Sequence, residues 1–381
     1  MKPLLILALT AALSNAQGPL IPAAAPAPTM KTLTQIEPRT PLGGNPTSFV
    51  NITSPGSYYL VSDVAGLGIN ADNVNLDLSG FTVKVATNFI GNGIGIGAGF
   101  KGVSIRNGFV VGSGVWTQGS TATAGTYTGN SSVGIIAFEG SEGNTTQSIS
   151  IDQVTVRGFY KGIFLSASPE FNGGRHRITN CILRDFGSVG IEAITTLITN
   201  TVISNGSGFG VNGIVLTTEN LLIHQIDGIG MRDNGGSVHR GTVVRLVSGI
   251  GIKGQHFSLS GVNASACGGD GIQGDSLQIE NCTASFNLGS GIFSPNPTIK
   301  NCMARGNGGA GIWADSSVIS GCGVLNSGAD GIRGLNSTIS LCKSASSNTN
   351  PDSYIAKSLV WTGGRQVDNV SDSYDPAAPA P

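Results

Sequence analysis

Cys282, Cys302, Cys322 and Cys342 recur every twenty residues, and Ile279, Ile299, Ile319 and Ile339 stand three residues ahead of each. The frame runs upstream through Ile178, Ile198, Thr218, Val238 and Leu259 at intervals of 20 or 21 residues, so nine successive units share it. Ile105 and Ile151 extend the row across gaps of 46 and 27 residues, which require insertions. A second row follows the cysteine slot by ten residues and reads Gly-Ile, at Gly190-Ile191, Gly271-Ile272, Gly291-Ile292, Gly311-Ile312 and Gly331-Ile332. A fixed period of this length means a solenoid, in which each unit buries its apolar face only against its neighbours.

The residues between the rows decide which solenoid. Each unit is a set of short apolar segments, such as Leu277 to Glu280, punctuated by Gly, Asn, Asp and Ser, with no 3.6-residue period. That excludes helical repeats, and the Leu-x-x-Leu-x-Leu pattern of leucine-rich repeats is missing. The slot before the cysteine position holds Asn107, Asn180, Asn200, Asn220, Asn281 and Asn301. Asn tolerates the left-handed conformation of a one-residue bend, and stacked amides can bond from coil to coil. Strand, Asn bend, strand, Gly-rich turn and Gly-Ile strand describe one rung of an all-β parallel β-helix. At about 4.8 Å per rung, the eight intervals from Ile178 to Ile339 make a rod about 38 Å long.

The unit Ile279-Glu280-Asn281-Cys282-Thr283-Ala284, running through Asn287 to Gly291-Ile292, resembles the coils of the right-handed parallel β-helix superfamily that includes pectate lyases. Residues 72 to 83, Asp-Asn-Val-Asn-Leu-Asp-Leu-Ser-Gly-Phe-Thr-Val, are similar to the opening coils of many polysaccharide-active members. Residues 27 to 33 with Pro38-Arg39-Thr40-Pro41 resemble a group of secreted bacterial β-helix proteins of unassigned activity. The resemblance covers residues 46–350 and implies a single-stranded right-handed solenoid of about 11–13 coils. It is specific for fold and weak for activity.

The two ends read differently. Lys2, an apolar core over residues 4–13 and Ser14-Asn15-Ala16 make a secretory signal over residues 1–16. A Pro/Ala-rich leader fills residues 17–45, and residues 351–381 form a C-terminal cap and Pro-rich tail. No other run is apolar enough to span a membrane, so the expected location is extracellular, cell-surface or periplasmic. With 21 basic and 22 acidic residues and no basic stripe, nucleic acid is not an expected partner. Cysteines stacked about one rung apart are too widely spaced for a disulfide, which favours buried thiols used as small apolar fillers. No cysteine or histidine spacing suggests a metal site.

In the superfamily, polysaccharide lies across the sheet that corresponds here to the Gly-Ile strands. If those isoleucines point inward, Gln273, Phe293, Trp313 and Arg333 point out in one vertical row, with Phe164 and Glu192 in earlier coils. Phe293 beside Trp313 is a candidate sugar platform, or else a patch covered by the C-terminal segment carrying Tyr354 and Trp361. Counted from the isoleucine slot, Asp227, Asp270 and Asp330 fall two positions before it, and Arg232, Lys253, Asp275 and Asp315 three after. A uronic-acid lyase neutralises the sugar carboxylate with Arg or Ca²⁺ and removes the adjacent proton with a base. Arg232, Lys253, Asp270 and Asp275 are the candidates for that work, against a solvated charge ladder. Gln273, Phe293, Trp313, Asp315, Asp330 and Arg333 are the candidate substrate contacts.

The catalytic motifs of polygalacturonases, alginate epimerases and pectate lyases are all missing. The four histidines read as surface residues, with His239 outward beside Glu219. Two insertions, residues 112–132 with Trp116 and Tyr127 and residues 166–177 with Glu170, Phe171, Arg175 and His176, would wall a cleft if they project over the Gly-Ile face. The leading expectation is a polysaccharide-interacting protein, with lyase chemistry as its sharpest form. The alternative is a non-catalytic surface, adhesive or structural rod.

Overall fold

A computed structural model describes residues 37–85, 91–120, 124–138, 148–165, 175–345, 359–367 and 370–371. The signal, most of the leader, Glu170, Phe171, Tyr354 and the Pro-rich tail lie outside them. From Thr40 onward the described residues contain strands and no helix, and one parallel sheet winds into a right-handed β-solenoid of about 14 turns. The number is visible in the Gly-Ile row. Its inward residues run in register from Val50, Leu67, Ile94, Ile135, Ile163 and Ile191 through Val211, Met231 and Ile252 to Ile272, Ile292, Ile312 and Ile332, and the backbone of Leu359 pairs on Ile332 as the fourteenth position. The segment Leu359–Val367, expected to cap the last coil, pairs in parallel on Ile332–Ser340 and contributes a rung of its own.

Each turn has three faces, seen most simply in the coil Gln278–Glu280, Thr283–Ser285, Ile292–Phe293. The chain changes face at single residues in the left-handed region. Asn281 has φ 55° after the first strand, Phe286 φ 56° after the second and Asn296 φ 53° after the third. The Asn slot performs as its side chain predicts: Asn107, Asn180, Asn200, Asn220 and Asn301 all have φ between 49° and 61°. Asn220 Nδ2 donates to Asn200 Oδ1 at 3.2 Å, and Asn200 Nδ2 to Asn180 Oδ1 at 3.3 Å.

Glycine leads the third strand because the rungs crowd there. A Cβ on Gly291 would lie 2.6 Å from the Gly311 carbonyl, and one on Gly311 2.7 Å from that of Gly331. Inside, Ile279, Ile299, Ile319 and Ile339 are at most 1% exposed, and each such burial contributes about 1.5–3 kcal/mol. All six cysteines are buried, and none is in a disulfide. Their sulfurs face the carbonyl two residues back, Cys302 Sγ lying 3.1 Å from Lys300 O. Burial pushes the Cys181 and Cys267 thiols up to about 12. Cys267 opens an internal ladder: its N–H donates to Asn287 Oδ1 at 3.0 Å, and Asn287 Nδ2 donates to Asn307 Oδ1 at 2.9 Å.

The structure corrects the isoleucine row at one coil. His239, and not Val238, pairs with Thr218 below and Leu259 above. His239 is 0% exposed, so the outward position expected for it is wrong. Its Nδ1 lies 3.0 Å from Thr218 Oγ1, which is 2.8 Å from Thr242 Oγ1, and its Nε2 lies 3.2 Å from Asp233 Oδ2. His176 is also buried, against the surface reading; burial lowers its pKa to about 4.

Candidate functional site

Alternation along the third strand turns the residue after each inward side chain toward solvent. The register makes one outward row of Phe164, Glu192, Asn212, Arg232, Lys253, Gln273, Phe293, Trp313 and Arg333. Two members were expected elsewhere. Met231 and Ile252, rather than Ile229 and Ile250, face inward, so Arg232 and Lys253 sit one position after the inward residue instead of three. They therefore stand level with Gln273, and Asp275 stands level with Gln255. By the same correction Asp227 lies four positions before its inward residue and registers with Ser207.

A groove of about 410 Å³ runs across this face, lined by Arg232, Lys253, Gln273, Asp275, Phe293 and Asn234 among others. A second, of about 280 Å³, continues it past Arg232 to Asn212, Glu192 and Phe164. Arg232 and Lys253 are exposed and adjacent in register, placing two cations about one rung apart. Gln273 Oε1 and Arg333 Nε are buried without a hydrogen-bond partner. Asp275 is held below the usual carboxylate range by bonds from Asn296 Nδ2 at 3.1 Å and Ser276 Oγ at 3.0 Å. It is an anion stabilised in place, which makes it a weak proton acceptor.

Asp270 belongs to the turn before the strand, away from this groove. It is half-buried and accepts the Ser290 N–H at 2.6 Å; burial raises its pKa. The four candidate catalytic residues therefore divide, with Arg232, Lys253 and Asp275 in the groove and Asp270 outside its lining. Asp330 occupies the equivalent turn position two residues before Ile332.

The aromatic pair is packed within its own ladder. Phe293 and Trp313 meet edge to face at 5.0 Å between centroids, and the Arg333 guanidinium lies 4.4 Å over the Trp313 ring. Trp313 Nε1 donates to Asp315 Oδ2 at 3.2 Å, while Asp315 Oδ1 accepts the Leu335 N–H. A cation–π contact of this kind holds Arg333 on the indole and covers one of its faces. Asp315 positions this stack. Upstream, Lys161 pairs with Glu192 at 2.6 Å and lies 4.6 Å over Phe164.

The first insertion leaves the solenoid as an antiparallel hairpin, Val115–Gln118 with Gly125–Thr128. It lies along the bends that precede the Gly-Ile strands. Tyr127 stands 6.3 Å from Tyr160, and the Gly125 N–H approaches Asp227 Oδ2 at 3.5 Å. Burial raises the Tyr127 pKa to about 12. The hairpin thus borders the Gly-Ile face at the start of its strands. Of the second insertion only residues 175–177 lie among the described residues. Among the described residues no cluster of His, Cys, Asp or Glu could hold a metal ion, and no helix is long and apolar enough to cross a membrane.

No family model matches the sequence, and no curated protein matches it. Among solved structures, it is similar to the A-module of a mannuronan C-5 epimerase of Azotobacter vinelandii, with TM-score 0.45 and 14% identity over 86% of this chain and 91% of that one. It is also similar to a mutant of a periplasmic alginate epimerase, with TM-score 0.41 and 9% identity over 82% and 77%. Tailspike protein 2 of an Escherichia coli bacteriophage gives TM-score 0.40 and 13% identity over 78% of this chain and 38% of that one.

Proposed function

We propose that the protein binds an acidic polysaccharide or cell-surface glycan along its Gly-Ile face, as an exported β-solenoid without turnover of its own. The observation that carries this reading is the pair Arg232 and Lys253, exposed in successive rungs of an open groove whose neighbouring rungs supply Gln273 and Phe293. Two cations about 4.8 Å apart suit carboxylates along one polymer. An amide and an apolar ring beside them suit sugar hydroxyls and C–H edges.

Binding is favoured over elimination because the carboxylate beside the cations, Asp275, is stabilised in its ionised form. Asp315 is engaged with Trp313 and the Leu335 backbone. Lyase chemistry, with Ca²⁺ or Arg232 neutralising the uronate and Lys253 taking the proton, is the rival.

Affinity electrophoresis against polyuronates and neutral glucans tests the reading. Replacing Arg232→Ala and Lys253→Ala together should weaken polyuronate retention at least about tenfold, since each charge-assisted bond contributes about 1.5–3 kcal/mol, and leave the melting temperature unchanged. Trp313→Ala should produce a smaller loss. Equal retention of wild type and the double variant would sink the proposed face. Ultraviolet-absorbing unsaturated uronate released in the presence of Ca²⁺ would replace binding with catalysis.

A further inference from the structure

The face built by the first strand of each coil carries a different pattern. At the third residue of each of five successive first strands, Glu219, Arg240, Ser260, Glu280 and Lys300 stand in one outward ladder, each registered on the next. Their charges read minus, plus, zero, minus, plus. Read from the other end, the same ladder is plus, minus, zero, plus, minus, so it is the complement of itself about Ser260. The row two residues earlier, Leu197, Thr217, Val238, Ser258, Gln278, Thr298 and Val318, carries no charge and sets Leu197 against Val318 about Ser258.

We propose that the protein forms an antiparallel two-fold dimer through this face. Laying a second copy on it head to tail about an axis through Ser260 places Glu219 opposite Lys300 of the second copy and Arg240 opposite Glu280. A self-complementary patch is what a two-fold contact requires. The groups are available: Arg240 and Glu219 are 60% and 46% exposed although 3.5 Å from one another, and Glu280 and Lys300 are exposed with no ion pair among the described residues. A groove of about 470 Å³ runs along this ladder, lined by Arg240, Ser260, Glu280 and Lys300. The five positions sum to zero charge and the uncharged row has no aromatic ring. A polyanionic glycan therefore gains nothing on this face, whereas a second copy gains every ladder charge paired.

Size fixes the strength. The seven rungs from Leu197 to Val318, at about 4.8 Å each, and a face about five residues wide give roughly 550 Å² per copy, or roughly 1,100 Å² in all, at the lower limit of specific interfaces. The dimer is therefore weak and salt-dependent, and it leaves both Gly-Ile grooves uncovered.

Sedimentation velocity on the full mature chain, across concentration and from about 0.1 M to about 1 M salt, should show a dimer that dissociates on dilution and more readily at high salt. Arg240→Glu alone and Glu280→Arg alone each oppose like charges and should raise the dissociation constant about tenfold. The two together exchange the partners and should restore association, an outcome that impaired folding cannot produce. Ser260→Cys should cross-link to itself with a short bismaleimide, whereas Ser340→Cys, roughly 38 Å from its counterpart in this register, should not. The native thiols, no more than 2% exposed, make the unsubstituted chain the silent control. A monomer at every concentration, a dimer indifferent to both reversals, or Ser340→Cys cross-linking in place of Ser260→Cys would each overturn the proposal.

Discussion

The coils from Ser258 to Ala345 and those from Thr217 to Val247 occupy the same frame and fill it in opposite ways. In the later coils the interior of the first strand and the slot after its bend hold Leu259, Ile279, Ile299, Ile319 and Ile339 with Val262 and four cysteines, and the buried polar residues, such as Asn287 with Asn307 and Ser317 with Ser337, recur at twenty-residue intervals and bond to their own kind. In the earlier ones Thr218, His239, Thr242 and Asp233, from first strands, the bend after them and the end of a third strand, meet in a buried polar cluster beside Ile223, Met231 and Val244. Glycines at 213 and 254, which register with Asp233 on either side, leave room for its side chain. His239 is packed edge-on to Phe257 at 5.4 Å. A ladder that repeats the same residue at every rung is indifferent to which rung sits on which. The His239–Asp233 contact is not, because sliding one coil past another separates the partners. The polar coils therefore mark the register that the apolar coils alone would leave interchangeable, a role polar groups in other cores are known to serve.

The largest expected effect breaks this contrast at Asp233. Asp233→Ala removes the group 3.2 Å from the buried His239 ring, which should cost about 1–3 kcal/mol in chemical denaturation. Combining it with His239→Leu turns the coil into one of the uniform kind and should recover part of that loss. A double variant as unstable as the sum of the two singles would show that the two groups are not coupled and that the cluster does not act as a unit.

The converse change introduces a hydroxyl into the uniform coils. Cys302→Ser should cost only about 1 kcal/mol, because the new donor finds the Lys300 carbonyl that the sulfur already faces at 3.1 Å. Thr201 does this in the same slot, donating to Thr199 O at 2.9 Å. A loss as large as that of Asp233→Ala, read in the same denaturation series, would mean that the cysteine ladder holds its coils by more than filling space.

The rungs, the Asn bends and the buried thiols were legible because each repeats at a fixed interval and has one physical meaning at every recurrence. The errors have an equally specific origin. Between Thr218 and Leu259 there is one extra residue, and hydrophobicity alone assigns the inward slot to Val238; the partners that make His239 the interior residue come from other strands. The chain also reads Gly228-Ile229-Gly230-Met231 and Gly249-Ile250-Gly251-Ile252, offering two Gly-led anchors in each coil. A slip of two residues preserves in-out alternation, so periodicity cannot choose between them. Counting back twenty residues from Ile272 to Ile252, and 21 more to Met231, does choose, and it moves Arg232 and Lys253 into the row that forms the groove. The cover on Trp313 had no such signal, since Arg333 over an indole depends on side-chain conformation.

A further pair of variants separates conformation from stacking at the border between the two kinds of coil. Asn200 has φ 49° and both gives and receives an amide bond, linking Asn180 to Asn220. The amide run ends at Gly241, the bend residue between His239 and Thr242. Asn200→Ala should cost about 1–2 kcal/mol for the left-handed backbone, with the lost amide bonds added. Asn200→Gly keeps the backbone free and loses only those bonds, so it should cost less. The difference between the two, measured by denaturation, isolates the bend. Were Gly as costly as Ala, the exposed amides rather than the bend would be what the Asn slot contributes, and the interruption at Gly241 would be a weak point lying beside the polar core.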